Sequence, residues 1–519
     1  MQPIILKIHN NVTYINGKLD GEVYRELKKE IGYKPENAFW MIENQRQKYQ
    51  NPDGTFKRGQ EWRENWDGTI STICWNKSKC RCNTKKSGMH FPTGLCRKVL
   101  VFFKKRGVNF EIRDERNKVV KSENLILSDD QIEKRNYQQE VIEKALKSDR
   151  GIIKCCTGAG KTFIAASIIA NRATYPIIFY VPSVDLMMQA KDEIERFVKK
   201  ENGDDVKVGM VGGGNKNIEE DITVMTIQTA VRSLGGVWVK FDKEDKNKDN
   251  TNIESIKEEI KKIIHDSKLI ICDEVQHWAA ETCQIISDAS VSARYRYGMS
   301  ATPWRDKGDD ILIDGCFGSS IVDINASRLI IEGYLVKPYI YWIPIHTNIR
   351  LNSYPKIYKD AIVRNEYRNT IIANLVKNLE NQGKNILILC TQIQHGNILN
   401  KKIDGSVFLK GETSNKKRKK HLDKMRKKEK RITIATSIFD EGINCKSLDT
   451  LILAGGGKSP TRTLQRIGRI LRLYEGKKKA LVFDFEDKCK ILNRHASQRK
   501  RIYKTEPEFK IEKLNITKN

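Results

Sequence analysis

The chain has 519 residues, of which 94 are Lys or Arg and 65 are Asp or Glu, so its net charge is +29. It contains no apolar run of about 18 residues and no N-terminal signal pattern, which excludes a membrane-spanning protein and leads us to expect a cytoplasmic one. Because the positive charge is spread along the chain, it favours a polyanionic partner; a solvated basic surface is the alternative.

Residues 1–120 form a first unit that is rich in charged and aromatic residues. Short alternating segments such as Lys98–Phe103 suggest a small α/β accessory domain, and we expect it to bind DNA. Four cysteines lie in this unit: Cys74, Cys80, Cys82 and Cys96. Their spacings differ from the C-x2-4-C pairs of zinc sites, even with His90 between them, so we expect no zinc there.

Between residues 121 and 325, short apolar segments alternate with helical stretches, which predicts a doubly wound parallel sheet. The predicted strands are Gly151–Lys154, Ile177–Val181, Ile222–Met225, Leu269–Cys272 and Tyr297–Ser300. A second series of the same kind covers residues 326–492. Its predicted strands are Asn385–Cys390, Ser406–Leu409, Arg431–Ala435, Thr450–Leu453 and Ala480–Asp484. The predicted fold class is α/β, with two tandem parallel-sheet domains after a small α/β domain and a basic tail at residues 493–519.

A glycine loop follows the first predicted strand and opens into an apolar helix; its sequence is Cys155-Cys156-Thr157-Gly158-Ala159-Gly160-Lys161-Thr162. Such a loop binds nucleoside triphosphates, because small residues let backbone N–H groups surround the phosphates and the helix N-terminus adds partial positive charge. Lys161 would neutralise the β- and γ-phosphates, and Thr162 would bind Mg²⁺. Cys155 stands where the usual pattern has glycine.

An acidic pair, Asp273 and Glu274, follows the predicted strand Leu269–Cys272, about 110 residues after the glycine loop. Ligands of parallel sheets bind at the carboxyl ends of the strands. Asp273 can hold Mg²⁺ through water, and Glu274 can polarise the water that attacks the γ-phosphate.

Eight motifs, in order over about residues 130–490, resemble those of superfamily 2 helicases and translocases. The matching segments are Arg135–Gln138 (Q motif), Cys155–Thr162 (I), Val181–Gln189 (Ia), Val224–Thr229 (Ic), Asp273–Gln276 (II), Ser300–Pro303 (III), Ala435–Asn444 (V) and Gln465–Arg472 (VI). Gln276 stands where motif II often has His or Asp, and it can still hydrogen-bond to motif III.

This resemblance implies two RecA-like domains that use ATP and Mg²⁺. It implies contacts to the nucleotide from Tyr137, Gln138, Thr157, Gly158, Ala159, Gly160, Lys161, Thr162, Gly442 and Arg466. The implied catalytic residues are Lys161, Asp273, Glu274, Gln465, Arg469 and Arg472, and the implied magnesium ligands are Thr162 and Asp273. Arg469 and Arg472 would reach the γ-phosphate from the second domain, so that ATP would close a cleft and hydrolysis would release it.

Hydroxyl and amide side chains in the matching motifs are expected to contact phosphates of the nucleic acid: Thr226, Gln228, Thr229, Thr391 and Thr436. Such contacts position a strand without reading its sequence. The run Lys416–Arg431 holds 11 Lys or Arg in 16 residues, which suits a phosphate-facing surface or simply an exposed helix.

The N-terminal segments Asn65–Ile70, Phe91–Leu95 and Gly107–Phe110 resemble the UvsW-type phage recombination helicases. That resemblance implies an enzyme that remodels forks, Holliday junctions and R-loops, so DNA is the expected partner and RNA is possible within R-loops, in a bacterial or phage-infected cytoplasm. The alternatives are the motor subunit of a restriction system, a superfamily 2 helicase acting on RNA, and a binding module without catalysis.

Overall fold

The computed structural model describes residues 3–51, 53, 55–57, 66–75, 88–128, 135–219, 221–236, 250–279, 281–304, 308–346, 353–436, 445–457 and 459–514. The chain divides into two units. The first contains residues 1–155 and 160–323, and the second contains residues 156–159 and 324–519. Across the part of the chain that is described, no helix is both long enough and apolar enough to cross a membrane.

The N-terminal module of the first unit is built on a four-stranded sheet of order β5-β2-β1-β6. Its elements are β1 (Ile4–Ile8), β2 (Val12–Asn16), α1 (Gly21–Glu30), β3 (Gly32–Tyr33), α2 (Ala38–Tyr49), β4 (Ile70–Ser71), β5 (His90–Pro92), α3 (Cys96–Lys105) and β6 (Phe110–Asp114). The next strand, β7 (Leu125–Leu127), pairs with residues Val198–Lys200 of the following domain. The alternating segment Lys98–Phe103 lies in helix α3, where Val99, Phe102 and Phe103 form one buried face. The helical spacing of these apolar residues therefore decides the structure, and the short alternation does not.

The rest of the first unit is a large sheet of order β12-β11-β13-β9-β14-β15-β8-β16. Its elements are α4 (Asn136–Leu146), β8 (Arg150–Cys155), α5 (Lys161–Arg172), β9 (Ile177–Val181), α6 (Val184–Phe197), β10 (Val198–Lys200), β11 (Val208–Gly212), β12 (Asn215–Asn217), β13 (Ile222–Thr226), α7 (Ile227–Ser233), α8 (Asn250–Asp266), β14 (Leu269–Asp273), α9 (Glu281–Ala289), β15 (Tyr295–Ser300), α10 (Ile311–Phe317) and β16 (Ser320–Ile324). Strands β11, β13, β9, β14, β15 and β8 pair in parallel, and β12 is antiparallel to β11. Most of their residues are apolar and buried, as expected for strands covered by helices on both faces.

The second unit is a sheet of order β19-β20-β18-β21-β22-β17-β23 in which the paired strands run parallel. Its elements are α11 (Ala326–Ile331), β17 (Lys337–Ile345), α12 (Tyr354–Tyr358), α13 (Glu366–Asn381), β18 (Ile386–Leu389), α14 (Ile393–Lys402), β19 (Val407–Leu409), α15 (Asn415–Arg426), β20 (Ile432–Ala435), β21 (Thr450–Ile452), α16 (Pro460–Ile470), β22 (Lys479–Asp487), α17 (Lys490–Tyr503) and β23 (Lys510–Lys513). The predicted α/β class with two tandem parallel sheets is confirmed. The expected basic tail instead contributes most of α17 and the edge strand β23, so these residues belong to the folded sheet domain.

Candidate nucleotide site and nucleic-acid contacts

The glycine loop joins the carboxyl end of β8 to the first residue of α5, Lys161. Gly158 and Gly160 have positive φ angles of 93° and 75°, a conformation that favours glycine. An ideal Cβ on Gly160 would lie 2.6 Å from Nε2 of Gln138, so the loop passes directly over this Q-motif side chain. The loop is therefore shaped to present backbone N–H groups at the N-terminus of a twelve-residue helix.

The Q motif sits at the start of α4. Gln138 is 4% exposed, and its Oε1 accepts a hydrogen bond of 3.2 Å from the backbone N–H of Arg135. Tyr137 is fully buried, and its hydroxyl accepts a bond of 3.2 Å from Nη1 of Arg135. Of the two residues, Gln138 is the one that the structure brings to the glycine loop.

The acidic pair lies where β14 ends, and β15 separates β14 from β8 in the sheet. The backbone N–H of Glu274 donates to Oδ1 of Asp273 over 3.0 Å, and Glu274 has a φ of 52°. Burial and the neighbouring Glu274 raise the pKa of Asp273, whereas the positive charge of Lys161 opposes that shift. A second cation beside Asp273 would favour the carboxylate further.

Motifs II and III are joined by a chain of hydrogen bonds. Oγ of Ser300 donates to Oε1 of Gln276 over 2.7 Å, and Nε2 of Gln276 donates to Oε2 of Glu274 over 2.9 Å. The backbone N–H of Thr302 donates to the same Ser300 hydroxyl over 2.9 Å. Gln276 thus makes the link that His or Asp often makes, and it holds Glu274 in the process.

Magnesium is the metal that this donor set suits. Thr162 offers a hydroxyl and Asp273 a carboxylate, and hard divalent cations prefer such oxygen ligands. Elsewhere, Cys74 and Cys96 are partly buried, while Cys80 and Cys82 lie outside the described residues. No group of three or more potential metal ligands occurs within the described ranges.

In the second unit, motif VI occupies α16 and the residues after it. The loop residues 156–159 group with this unit, and an ideal Cβ on Gly468 would lie 2.6 Å from Cβ of Thr157. An ideal Cβ on Gly158 would lie 3.5 Å from Cγ of Arg472. Gln465, Arg466 and Arg469 lie on α16, all partly buried, whereas Gly442 lies outside the described residues.

The expected nucleic-acid contacts differ in exposure. Thr226 is 4% exposed, and its hydroxyl accepts from the backbone N–H of Thr229 over 3.4 Å as the cap of α7. Gln228 and Thr229 are partly buried, Thr391 is exposed, and Thr436 is 7% exposed. Thr391 therefore offers the most accessible hydroxyl of the set, and Thr226 has a capping role that the sequence did not suggest.

The structure shows a supporting contact next to motif VI that was not predicted from the sequence. Nη1 of Arg499 on α17 donates to the carbonyl of Gly457 over 2.8 Å, in the segment that leads into α16. The same guanidinium pairs with the buried carboxylate of Asp484, which also accepts from the Tyr503 hydroxyl over 2.6 Å. These contacts were not predicted because the residues from Asn493 onwards are mostly basic and polar, which is typical of an exposed tail.

Two family models match the chain. Residues 131–305 match the family described as type III restriction enzyme, res subunit, and residues 368–474 match the helicase conserved C-terminal domain.

Similar proteins come from several sources. A DNA 3′-5′ translocase XPB2 of Sulfurisphaera tokodaii is 26% identical over 73% of this chain and 87% of its own length. The ATP-dependent DNA helicase uvsW of Enterobacteria phage T4 is 23% identical over 71% of this chain and 72% of its own length. A structure of a putative HsdR subunit fragment of a type I restriction enzyme from Vibrio vulnificus matches with a TM-score of 0.52 at 17% identity, covering 74% of this chain and 68% of that one, and this shows the shared fold. The two family matches and the DNA helicase relatives indicate a superfamily 2 helicase, in agreement with the ordered motifs.

Proposed function

We propose that this chain is an ATP-dependent DNA helicase or translocase that remodels branched DNA, such as forks, Holliday junctions and R-loops, in the cytoplasm of a bacterium or a phage-infected cell. The observation that carries the proposal is the convergence of the glycine loop, the acidic pair and Ser300 at the carboxyl ends of β8, β14 and β15. Similarity to the ATP-dependent DNA helicase uvsW of phage T4 supports DNA as the substrate. The resemblance of segments Asn65–Ile70, Phe91–Leu95 and Gly107–Phe110 to UvsW-type recombination helicases supports branched forms of that DNA. The name of the Sulfurisphaera tokodaii relative supports movement in the 3′ to 5′ direction.

The proposed chemistry is hydrolysis of the γ-phosphate of ATP. Backbone N–H groups of the glycine loop and the Lys161 ammonium bind the phosphates, and Gln138 reads the adenine. Thr162 and Asp273 would hold Mg²⁺, which neutralises charge on the phosphate oxygens. Glu274, held by Gln276, orients the attacking water and takes its proton, while the bond from the γ-phosphorus to the bridging oxygen breaks.

The proposed role of motif VI is to stabilise charge on the transferred phosphoryl group. Arg469 and Arg472 would donate to the γ-phosphate oxygens, with Gln465 and Arg466 beside them, and such arginines accelerate related reactions by about 10³–10⁵-fold. Gln276 would couple Glu274 to motif III through its hydrogen bond with Ser300. Thr226, Gln228, Thr229, Thr391 and Thr436 are also proposed to contact the phosphates of the DNA. Thr226, whose hydroxyl caps α7, is the least exposed of these residues.

The first test replaces Lys161 with Ala and measures ATP turnover with and without DNA. We expect DNA-stimulated turnover to fall by at least about 100-fold, because the charge that neutralises the phosphates is lost. Lys144→Ala is the matched control, since Lys144 is an exposed lysine of α4 paired with Glu140, and it should stay within about twofold of the parent. Undiminished DNA-stimulated turnover in Lys161→Ala would refute the site.

A second measurement compares ATP turnover and unwinding on a fork, a Holliday junction, an R-loop and an RNA duplex, with 3′ and 5′ tailed partial duplexes for direction. The proposal expects activity on the branched DNA substrates and on the 3′ tailed duplex. Activity on the RNA duplex alone would favour the RNA helicase, and the absence of stimulation by any nucleic acid would favour a binding module.

A further inference from the structure

The N-terminal module packs against the two helices that follow motifs II and III in the chain, α9 and α10. We call its contacting residues the docking face and define it as Asn10, Asn11, Pro92, Gly94 and Lys98. All of these contacts lie within the first unit.

The hairpin between β1 and β2 contacts the end of α9. Nδ2 of Asn10 donates to the carbonyl of Val291 over 3.0 Å, and Nδ2 of Asn11 donates to the carbonyl of Asp288 over 3.3 Å. Nη2 of Arg150, at the start of β8, donates to the carbonyl of Asn10 over 2.5 Å. The tip of the hairpin is therefore tied to both the helix after motif II and the strand before the glycine loop.

The turn Thr93–Leu95 contacts α10 without room for a side chain. An ideal Cβ on Gly94 would lie 2.0 Å from the carbonyl oxygen of Asp314 and 2.6 Å from that of Gly315. One turn further along α3, Nζ of Lys98 lies 2.7 Å from Oδ2 of Asp314. Because backbone meets backbone here, only glycine allows this approach.

Helix α10 also packs against residues that flank motifs II and III, namely Trp278 and Gly298. The rings of Phe317 and Trp278 lie 5.0 Å apart at 76°. An ideal Cβ on Gly298, two residues before Ser300 on β15, would lie 3.2 Å from Cγ of Phe317 and 2.6 Å from Cγ2 of Val275. Packed interiors transmit small shifts because they hold few voids, so a displaced α10 would move the motif II turn and the end of β15.

We propose that the docking face is a positioning element for ATP hydrolysis, with Gly94 and Lys98 holding α10 where it keeps Gln276 and Ser300 aligned on Glu274. The inference rests on the proposed ATPase function. It makes the N-terminal module a working part of the first motor domain as well as a candidate DNA-binding one, and it assigns Gly94 and Lys98 a role without any contact to ATP.

The test is Gly94→Ala in the full chain, with Gly21→Ala as its matched control. Both changes add one methyl group to the same module, but an added Cβ on Gly21 meets nothing within 4 Å. We expect Gly94→Ala to lower the kcat of DNA-stimulated ATP hydrolysis by about tenfold or more, since small misplacements of catalytic groups cost rates of this order. The KM for ATP should stay within about twofold in both variants, because the glycine loop is untouched.

Exchanging the charges of Lys98 and Asp314 provides a second test, in which the double variant should restore activity. Lys98→Asp and Asp314→Lys should each lower kcat, and the double variant should recover most of it, because the exchanged pair restores the contact to α10. The Lys98 and Asp314 variants also test the proposal if Gly94→Ala fails to fold.

Wild-type kcat in Gly94→Ala, or in both single charge variants, would overturn the proposal. Failure of the proposed function is distinguishable, because the unmodified chain would then show no DNA-stimulated hydrolysis at all.

Discussion

His395 shows how single buried polar side chains organise the second unit. It is fully buried, and its Nε2 lies 3.0 Å from Oδ1 of Asn369, whose amide donates to the carbonyl of Val363. The adjacent Arg368 is also buried and pairs with Asp487 over 2.9 Å. Burial, with the positive charge of Arg368, lowers the pKa of His395 to about 3.

This shift predicts a loss of stability in acid. Between about pH 6.5 and pH 3 the unfolded chain protonates His395 while the folded chain does not, so the free energy of unfolding falls as the pH falls, by up to about 1.4 kcal/mol per pH unit. Urea unfolding of His395→Gln from pH 7.5 to pH 5 should show a shallower slope than the parent. His265→Gln, at an exposed histidine of α8, should keep the parent slope. If His395→Gln also keeps the parent slope, His395 is not the source of the loss of stability in acid.

At the residue scale, the sequence allowed us to locate the site motifs along the chain, but it did not predict the contacts that their side chains make. The glycine loop and the acidic pair are local patterns, so their positions at strand ends could be read directly. The bond from Ser300 to Gln276 crosses 24 positions, and the capping role of Thr226 depends on its burial, so neither could be derived from spacing. The contact of Gly94 with α10 was equally invisible, because a glycine in a sequence does not reveal its neighbour.

Helix α15 carries the most concentrated positive charge. His421 and Met425 are buried against the sheet, where Nε2 of His421 lies 2.9 Å from Oγ1 of Thr433. Lys416, Lys417 and Lys420 are exposed. The helix begins after β19, which adjoins β20 in the sheet, so its first turn lies at the same sheet edge as Thr436.

We therefore expect these lysines to bind phosphates and to set part of the salt dependence of DNA binding. Changing Lys416, Lys417 and Lys420 to Gln should reduce the slope of log K against log salt by up to about 0.9 for each lost contact on duplex DNA. The control changes Lys257, Lys261 and Lys262 of α8, two of which pair with Glu254 and Glu258. Equal slopes in the two triple variants would show that α15 is only a solvated surface.

At the scale of elements, the strands were the most predictable part. Ile177–Val181 was predicted to the residue, and the other predicted strands differ from the observed ones by at most a few positions. Long apolar runs bounded by polar residues leave little choice in a sheet buried on both faces. Helix α3 and strand β23 were harder, since short or basic segments take their structure from tertiary packing.

At the scale of the whole molecule, the fold of the second unit depends on elements that we had predicted to be a basic tail. Arg499 and Tyr503 satisfy the buried carboxylate of Asp484, and β23 pairs in parallel with β17. The carboxylate of Glu506 accepts from the backbone N–H of Ser327 over 2.8 Å at the start of α11. Residues well beyond motif VI in the chain therefore stabilise the fold of the second unit.

A chain ending at residue 492 should lose the fold of the second unit. Removing Arg499 alone leaves Asp484 uncompensated, a change that costs about 3–5 kcal/mol in comparable buried pairs. A chain ending at residue 514 keeps α17 and β23 and serves as the control. Thermal unfolding and ATP turnover should separate the two, and equal melting temperatures would contradict this account.

The bond from Arg499 to the Gly457 carbonyl also has a consequence for biosynthesis. During translation α17 leaves the ribosome after six of the seven strands of its sheet, so the segment entering α16 gains its support only then. A nascent polypeptide that already carries every helicase motif therefore still lacks the Arg499 bond that holds the segment before α16, and we expect motif VI to be positioned only once α17 has folded.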